Sequence, residues 1–189
     1  MVTPITAVSA LWVRWVLSWG LAARWSGATA VRQSSRDRLL HSVFMWAGTI
    51  LLFFRPAVFG PLRTPIFPAR AALGWAAVAL ALLGLGWTWW ARIHLGRLWS
   101  SAVTLKTDHT LVRSGPYRIT RHPIYTGLLA AFVATALVRD VVGAALGLAL
   151  VAVGLGLKVR QEEQLLGDHF GAAYHDYQTQ VSAILPGIW

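Results

Sequence analysis

The 189-residue sequence contains no cysteine, which excludes disulfides, thiolate metal sites and a cysteine nucleophile together. It is also poor in charge: Asp, Glu, Lys and Arg make up 13% of it, against about 25% in an ordinary soluble domain. Acidic residues are the scarcest, seven against seventeen basic ones. Apolar residues take the remaining space: 56% of the chain is hydrophobic, with eleven tryptophans and a mean hydropathy of +0.55. This is the composition of an integral membrane protein, and the length suits one membrane domain. A net charge of +10 would point to nucleic acid in a soluble chain. Here the basic residues lie between apolar runs, so anionic lipid headgroups and topology account for them and no nucleic-acid partner is expected.

Five apolar runs predict an all-α integral membrane fold with five transmembrane helices. The clearest, 71–91, has no charge over 21 residues. At about 1.5 Å per residue it crosses the roughly 30 Å hydrocarbon layer, with Trp87, Trp89 and Trp90 as an aromatic belt at one rim. The first run, 5–23, carries Arg14, which should face the bundle or reach a headgroup. Ala28-Thr29-Ala30 resembles a signal-peptidase site, but the lack of a basic residue before the run and the presence of Arg14 favour a retained helix. The second run is 39–54. The fourth and fifth, 124–138 and 141–157, are separated by Arg139-Asp140 and read as a tight helical hairpin. Gly143 and Gly147 have GxxxG spacing, which lets helix backbones approach.

Five crossings place 24–38, 92–123 and the segment from 158 on one side. These hold twelve of the seventeen basic residues, six of the seven acidic residues and five of the six histidines. The positive-inside rule makes that side cytoplasmic and puts the N-terminus outside. The chain then divides into three helices over 1–91 and a half carrying the chemistry over 92–189. The Ala, Gly, Trp and Arg bias fits a bacterial inner membrane.

Two polar stretches stand out. In the first, Trp99–Tyr125, Val103–Leu105 and Thr110–Val112 are short extended candidates, and Ser114-Gly-Pro-Tyr117 is a turn. Pro123 fits the first position of the fourth helix, so Arg121 and His122 stand at its N-terminus as a candidate anion site. The second stretch extends the fifth helix through Lys158, Arg160, Glu162 and Glu163, with Lys158 and Glu162 four apart on one face. Other motifs fail. Gly84-Leu-Gly86 and Gly154-Leu-Gly156 lack the strand and third glycine of a dinucleotide fingerprint, and there is no P-loop. No HxxxH or Glu-x-x-His spacing supports a metal, and no serine has a GxSxG setting.

The ordered set His109-x-Leu-Val-x-x-Gly-Pro-Tyr117, Arg121-His-Pro-x-Tyr-x-Gly127, Glu162-Glu163-x-Leu, Phe170-Gly-x-x-Tyr174-x-x-Tyr177 and a closing Leu-Pro-Gly resembles the isoprenylcysteine carboxyl methyltransferase and phospholipid methyltransferase group. The likeness runs from about residue 92 onward. It implies a membrane enzyme that binds S-adenosylmethionine in a cytoplasmic pocket, built from the connection between helices three and four and from the C-terminal helical extension. S-Adenosylhomocysteine would be the product. It further implies cofactor contacts from His109, Thr110, Leu111 and Val112, from Gly115 and Tyr117, from His122, Pro123, Ile124 and Tyr125, and from Glu162. Catalytic roles fall on Arg121 and Glu163. The substrate-side arginine of the group falls on Lys158, with Arg160 as a substitute, and a glutamine of members with protein substrates falls near Ala102.

The residue chemistry agrees with that reading. The helix N-terminus and His122 suit the cofactor carboxylate, Glu162 an ammonium or ribose, and Tyr117 and Tyr125 an adenine or sulfonium. A carboxylate acceptor needs no base, whereas an amine would need Glu163 or His109. The leading expectation is carboxyl O-methylation of a lipophilic isoprenoid or prenylcysteine-like acceptor. The alternatives are lipid amine N-methylation, thiol S-methylation, an NADPH-dependent membrane reductase, and a non-catalytic membrane partner.

Overall fold

A computed structural model describes residues 1–27, 29–32, 35–54, 60–67, 71–100, 102–106 and 110–187. Six helices carry the fold: α1 (Pro4–Ala22), α2 (Ser35–Phe53), α3 (Ala71–Leu95), α4 (Pro123–Arg139), α5 (Val142–Phe170) and α6 (Ala172–Gln180). Each apolar run of the sequence lies in one of the first five. α3 and α5 continue as helix past the apolar runs, α3 to Leu95 and α5 to Phe170. By length and hydropathy α1, α3 and α5 are long enough to cross a membrane, while α2 and α4 are apolar over 38–53 and 123–139.

Small residues determine which helices pair. A Cβ on Gly84 of α3 would meet the Gly127 carbonyl oxygen of α4 at 2.6 Å, and one on Gly48 of α2 would meet the Gly147 carbonyl oxygen of α5 at the same distance. These backbone contacts make α3–α4 and α2–α5 the two most extensive helix pairs. The close packing expected of Gly143 and Gly147 is present, against Leu62 and against Gly48 and Leu52. α4 and α5 do follow each other tightly, through Asp140 in a left-handed conformation at φ 47°. They spread onto α3 and α2, however, rather than closing as a hairpin on each other.

α1 runs beside α3 in the same direction, with Pro4 near Gly74 and the Ala22 carbonyl near Arg92. α4 runs against α3 and α5 against α2, so the ends of α1, α3 and α5 meet the starts of α2 and α4 at one end of the bundle. Arg92 is fully buried there. It donates to the Gly96 and Ala22 carbonyl oxygens at 2.6 and 2.8 Å, the negative ends of two helices, and lies 4.4 Å from the Trp99 ring centroid. Arg14 is exposed on the outer face of α1. Across α1, Trp12 donates to Thr135 at 2.9 Å and Trp15 to Thr88 at 2.7 Å.

The predicted extended segment at 103–105 is found as β2 (Thr104–Lys106). Its antiparallel partner is β1 (Thr29–Arg32), which the sequence pattern does not announce. Residues 110–112 form no regular strand.

Candidate active site

α4 starts where the sequence places it, with His122 at its N-cap and Pro123 at the first helical position. Before it, Gly115–Arg118 forms a single 3₁₀ turn. Gly115 has φ +58°, and a Cβ there would strike the His94 ring, so both conformation and space call for glycine. The α5 extension then brings its acidic pair against the start of α4.

Glu162 and Glu163 diverge around the helix. Glu163 Oε1 accepts from Arg121 Nε at 2.7 Å, lies 2.7 Å from Arg121 Nη2, and is 3.2 Å from His122 Nε2. Its Oε2 accepts from Gln178 at 3.4 Å. Glu162 accepts from the Tyr125 hydroxyl and sits 3.4 Å from His122 Nδ1. His122 is thus placed between two carboxylates, with both ring nitrogens facing acceptors. Burial alone would lower its pKa, but hydrogen bonds to Glu162 and then Glu163 outweigh burial and raise it above the ordinary imidazole range. With His122 and Arg121 cationic and both glutamates ionised, the four side chains balance in charge. Tyr117, buried and near Glu162, has its phenol pKa pushed upward by burial first and by that carboxylate second.

The C-terminal residues change the predicted anion site. Arg121 N donates to Ser182 O at 2.8 Å and His122 N to Ala183 O at 2.9 Å, while Thr126 Oγ1 donates to Ile184 O at 2.6 Å. Arg121 Nη1 also donates to the Gln178 and Val181 carbonyl oxygens. The backbone donors and the guanidinium expected to receive an anion are therefore engaged within the protein.

Next to this cluster is a cavity of about 280 Å³, at the lower edge of the roughly 300–1,000 Å³ usual for small-molecule sites. Lys158, Glu162, Leu165 and Leu166 line it from one face of α5. Tyr117 lines it from the 3₁₀ turn, and Arg121, His122, Pro123, Ile124 and Tyr125 line it from the start of α4 and the residues just before it. Lys158 Nζ lies 5.3 Å from the Tyr125 ring centroid, and the Tyr125 ring stacks on His122 at 5.7 Å. Thr104, also on the wall, has a buried hydroxyl with no hydrogen-bond partner among the described residues.

Several predicted residues are not brought to the cavity. His109 lies outside the described residues. Thr110, Leu111 and Val112 are off the lining, because Arg113 pins this segment to α6 through Asp176 at 2.9 Å. Gly115 shapes the turn below it. Arg160 is exposed on another face of α5, which leaves Lys158 as that helix's cation on the cavity. Glu163 stands behind the lining. The sequence reading missed Trp15, Trp19, Trp99 and Leu128 on the wall, although the i, i+4 spacing of Trp15 and Trp19 marks one face of α1.

The sequence model of the isoprenylcysteine carboxyl methyltransferase (ICMT) family matches residues 77–168. The match takes in just under half of the chain. The matched segment holds, among the described residues, every ionisable side chain of the cavity, together with Glu163. The chain is 26% identical over 151 residues to the cobalt-zinc-cadmium resistance protein CzcN of Cupriavidus metallidurans, covering 77% of this chain and 64% of CzcN. It superimposes on the structure of the eukaryotic intramembrane Ras methyltransferase ICMT with a TM-score of 0.53 at 24% identity, covering 84% of this chain and 55% of that one. The chain thus spans less than two thirds of either relative, and the structural match establishes a shared ICMT membrane fold.

Proposed function

We propose that this protein is an S-adenosylmethionine-dependent membrane methyltransferase that O-methylates the carboxylate of a lipophilic, isoprenoid or prenylcysteine-like acceptor. The observation that carries this is the cavity itself. A carboxylate, Glu162, held by Tyr125 and His122, faces an otherwise largely apolar pocket within the ICMT-family segment. Five crossings, with the N-terminus outside and the site at the cytoplasmic face of a bacterial inner membrane, fit the alternation of α1–α5 and the basic-residue distribution.

The donor set suits the cofactor. Glu162 offers its carboxylate to an ammonium or to ribose hydroxyls, Thr104 an unused hydroxyl, and Tyr117 and Tyr125 offer rings to adenine or sulfonium. S-Adenosylmethionine supplies the electrophilic methyl group when bound. Lys158, one turn before Glu162 on the same face, is the group we assign to the acceptor carboxylate.

The acceptor class follows from what the site does not offer. Glu163 is saturated by Arg121, His122 and Gln178, and both nitrogens of His122 are turned to carboxylates. None of the described groups facing the cavity is a ready base for an amine or a thiol. A carboxylate arrives already ionised, and its reaction with a sulfonium removes charge, which a water-poor cavity favours. Arg121 and Glu163 then act as positioning residues: they tie α4, α5, α6 and residues 178–183 into one rigid base for Glu162.

Calorimetric titration of the purified protein with S-adenosylhomocysteine tests the cofactor assignment. Saturable binding is expected, weakened at least about 100-fold in Glu162→Ala, the scale of a lost charge-assisted contact. Binding of NADPH in its place would replace the methyltransferase reading with a reductase. Binding of neither would reject an enzyme of both kinds.

A further inference from the structure

The charged residues of the cavity and one of its aromatic walls come from different parts of the chain. Its ionisable residues all lie within 77–168, whereas two of its tryptophans, Trp15 and Trp19, come from α1, outside the family-matched stretch. A cofactor shared across the family should be met by what the family shares. The ligand that meets a wall from elsewhere in the chain is the acceptor.

This wall is fixed in place before any ligand arrives. The Trp15 indole N–H donates at 2.7 Å to Thr88, a residue with no exposed surface. Trp19 stacks on Trp15 at 4.6 Å and meets Trp99 edge-on at 5.5 Å. Beyond Trp15 the bundle is closed. Trp12 is 8% exposed, packs on Phe132 at 4.9 Å and on Trp15 at 5.7 Å, and donates to Thr135 across to α4. On α4 the lining reaches no further than Leu128.

Trp15 stands seven residues before the end of α1, about 10 Å along its axis. On α5, Lys158 directly follows Leu157, the last residue of the uncharged apolar run. The pocket therefore runs from the charged level at Lys158 and Glu162, beside Tyr125, to the rigid aromatic wall of Trp15 and Trp19, and along α4 its lining spans only Pro123 to Leu128, about 7.5 Å of helix. Resting on the carboxyl methyltransferase reading above, we infer that Trp15, backed by Trp12, is a length gauge: the acceptor is a short isoprenoid-type carboxylate whose apolar part ends against this ring, not a long prenyl chain.

The test uses the detergent-purified full-length chain and three acids that differ by one isoprene unit: geranic, farnesoic and geranylgeranoic acid. Calorimetry with S-adenosylhomocysteine present gives their affinities, and transfer of a labelled methyl group gives KM and kcat. The wild type should prefer geranic over geranylgeranoic acid by at least about tenfold, the scale of discrimination by a filled apolar pocket. Trp15→Ala should bring the longest acid to within about threefold of the shortest by removing the floor, and Trp15→Phe, which keeps an aromatic core residue, should fall between. S-Adenosylhomocysteine affinity should stay within about twofold in both variants.

Equal affinity of the wild type for all three acids would overturn the gauge, because the tail must then leave the cavity sideways. So would an unchanged preference in both variants, or a fall in S-adenosylhomocysteine affinity that places the ring against the cofactor. If the gauge holds in binding while no methyl group is transferred to any acid, the reaction assignment fails and the pocket assignment survives.

Discussion

α1 and α2 are both 19 residues long, both apolar, and both precede the family-matched stretch, yet they put their tryptophans to opposite uses. α1 turns Trp12, Trp15 and Trp19 inward. The first fills the core and the other two line the cavity. α2 leaves Trp46 69% exposed and presents Gly48 to α5, so its contribution is a close backbone contact. It reaches the end of the bundle that carries the site through His41, whose Nδ1 lies 2.8 Å from Gln161 Oε1, but none of its described side chains lines the cavity. Hydropathy gives both helices the same description. What separates them is which residue types fall on the buried face: aromatic rings build a shaped surface, and glycine gives up shape for proximity.

The largest effect on this contrast should come from α2. Gly48→Leu places side-chain atoms against the Gly147 carbonyl and Val151, where a Cβ alone would already lie within 2.6–2.8 Å. We expect a loss of about 3 kcal/mol or more, at the upper end of overpacking costs, read as a lower melting temperature in detergent. The folded fraction should bind S-adenosylhomocysteine with wild-type affinity. An equal loss of affinity would show that α2 shapes the site after all.

A smaller, pH-dependent effect should follow from His122→Gln, which alters the charge cluster without touching either helix. The folded pKa of His122 is raised, so its stabilising contribution is complete below the ordinary value of about 6.5 and is lost as pH rises through the folded value. The variant should melt a few degrees below the wild type at pH 6, with the gap closing at alkaline pH. A gap that widens with pH would mean that His122 is neutral between its two carboxylates. The smallest effect belongs to the outward tryptophan: Trp46→Ala should change stability by no more than about 0.5 kcal/mol and leave binding unaltered.

The helices were legible because each is a local pattern: long runs without charge, Pro123 opening α4, and Lys158 and Glu162 keeping helical spacing beyond the apolar stretch. The motif residues of α4 and α5 led to the charge cluster for the same reason. Two other features depend on partners far away in the chain. β1 pairs with β2 across more than seventy residues, and the start of α4 gives its backbone donors to Ser182 and Ala183. No periodicity within either segment records that pairing, so an exposed helix N-terminus was expected where an occupied one is found. Thr110–Val112 failed for a related reason, since the position of that segment is decided by the Arg113–Asp176 pair and not by its own alternation.

The strand-like contact of residues 182–183 with residues 120–122 also has a consequence in time. A chain is made from its N-terminus at about 5–20 residues per second, so α1 to α5 can form and pack while residues 181–184 are still being made. Until residue 183 has left the ribosome, the backbone donors of Arg121 and His122 do not both have their acceptors, and before residue 181 Arg121 also lacks the Val181 carbonyl. The bundle can therefore form early, but its charged base is completed later, and a nascent chain halted before residue 182 should pack its helices yet be unable to hold ligand.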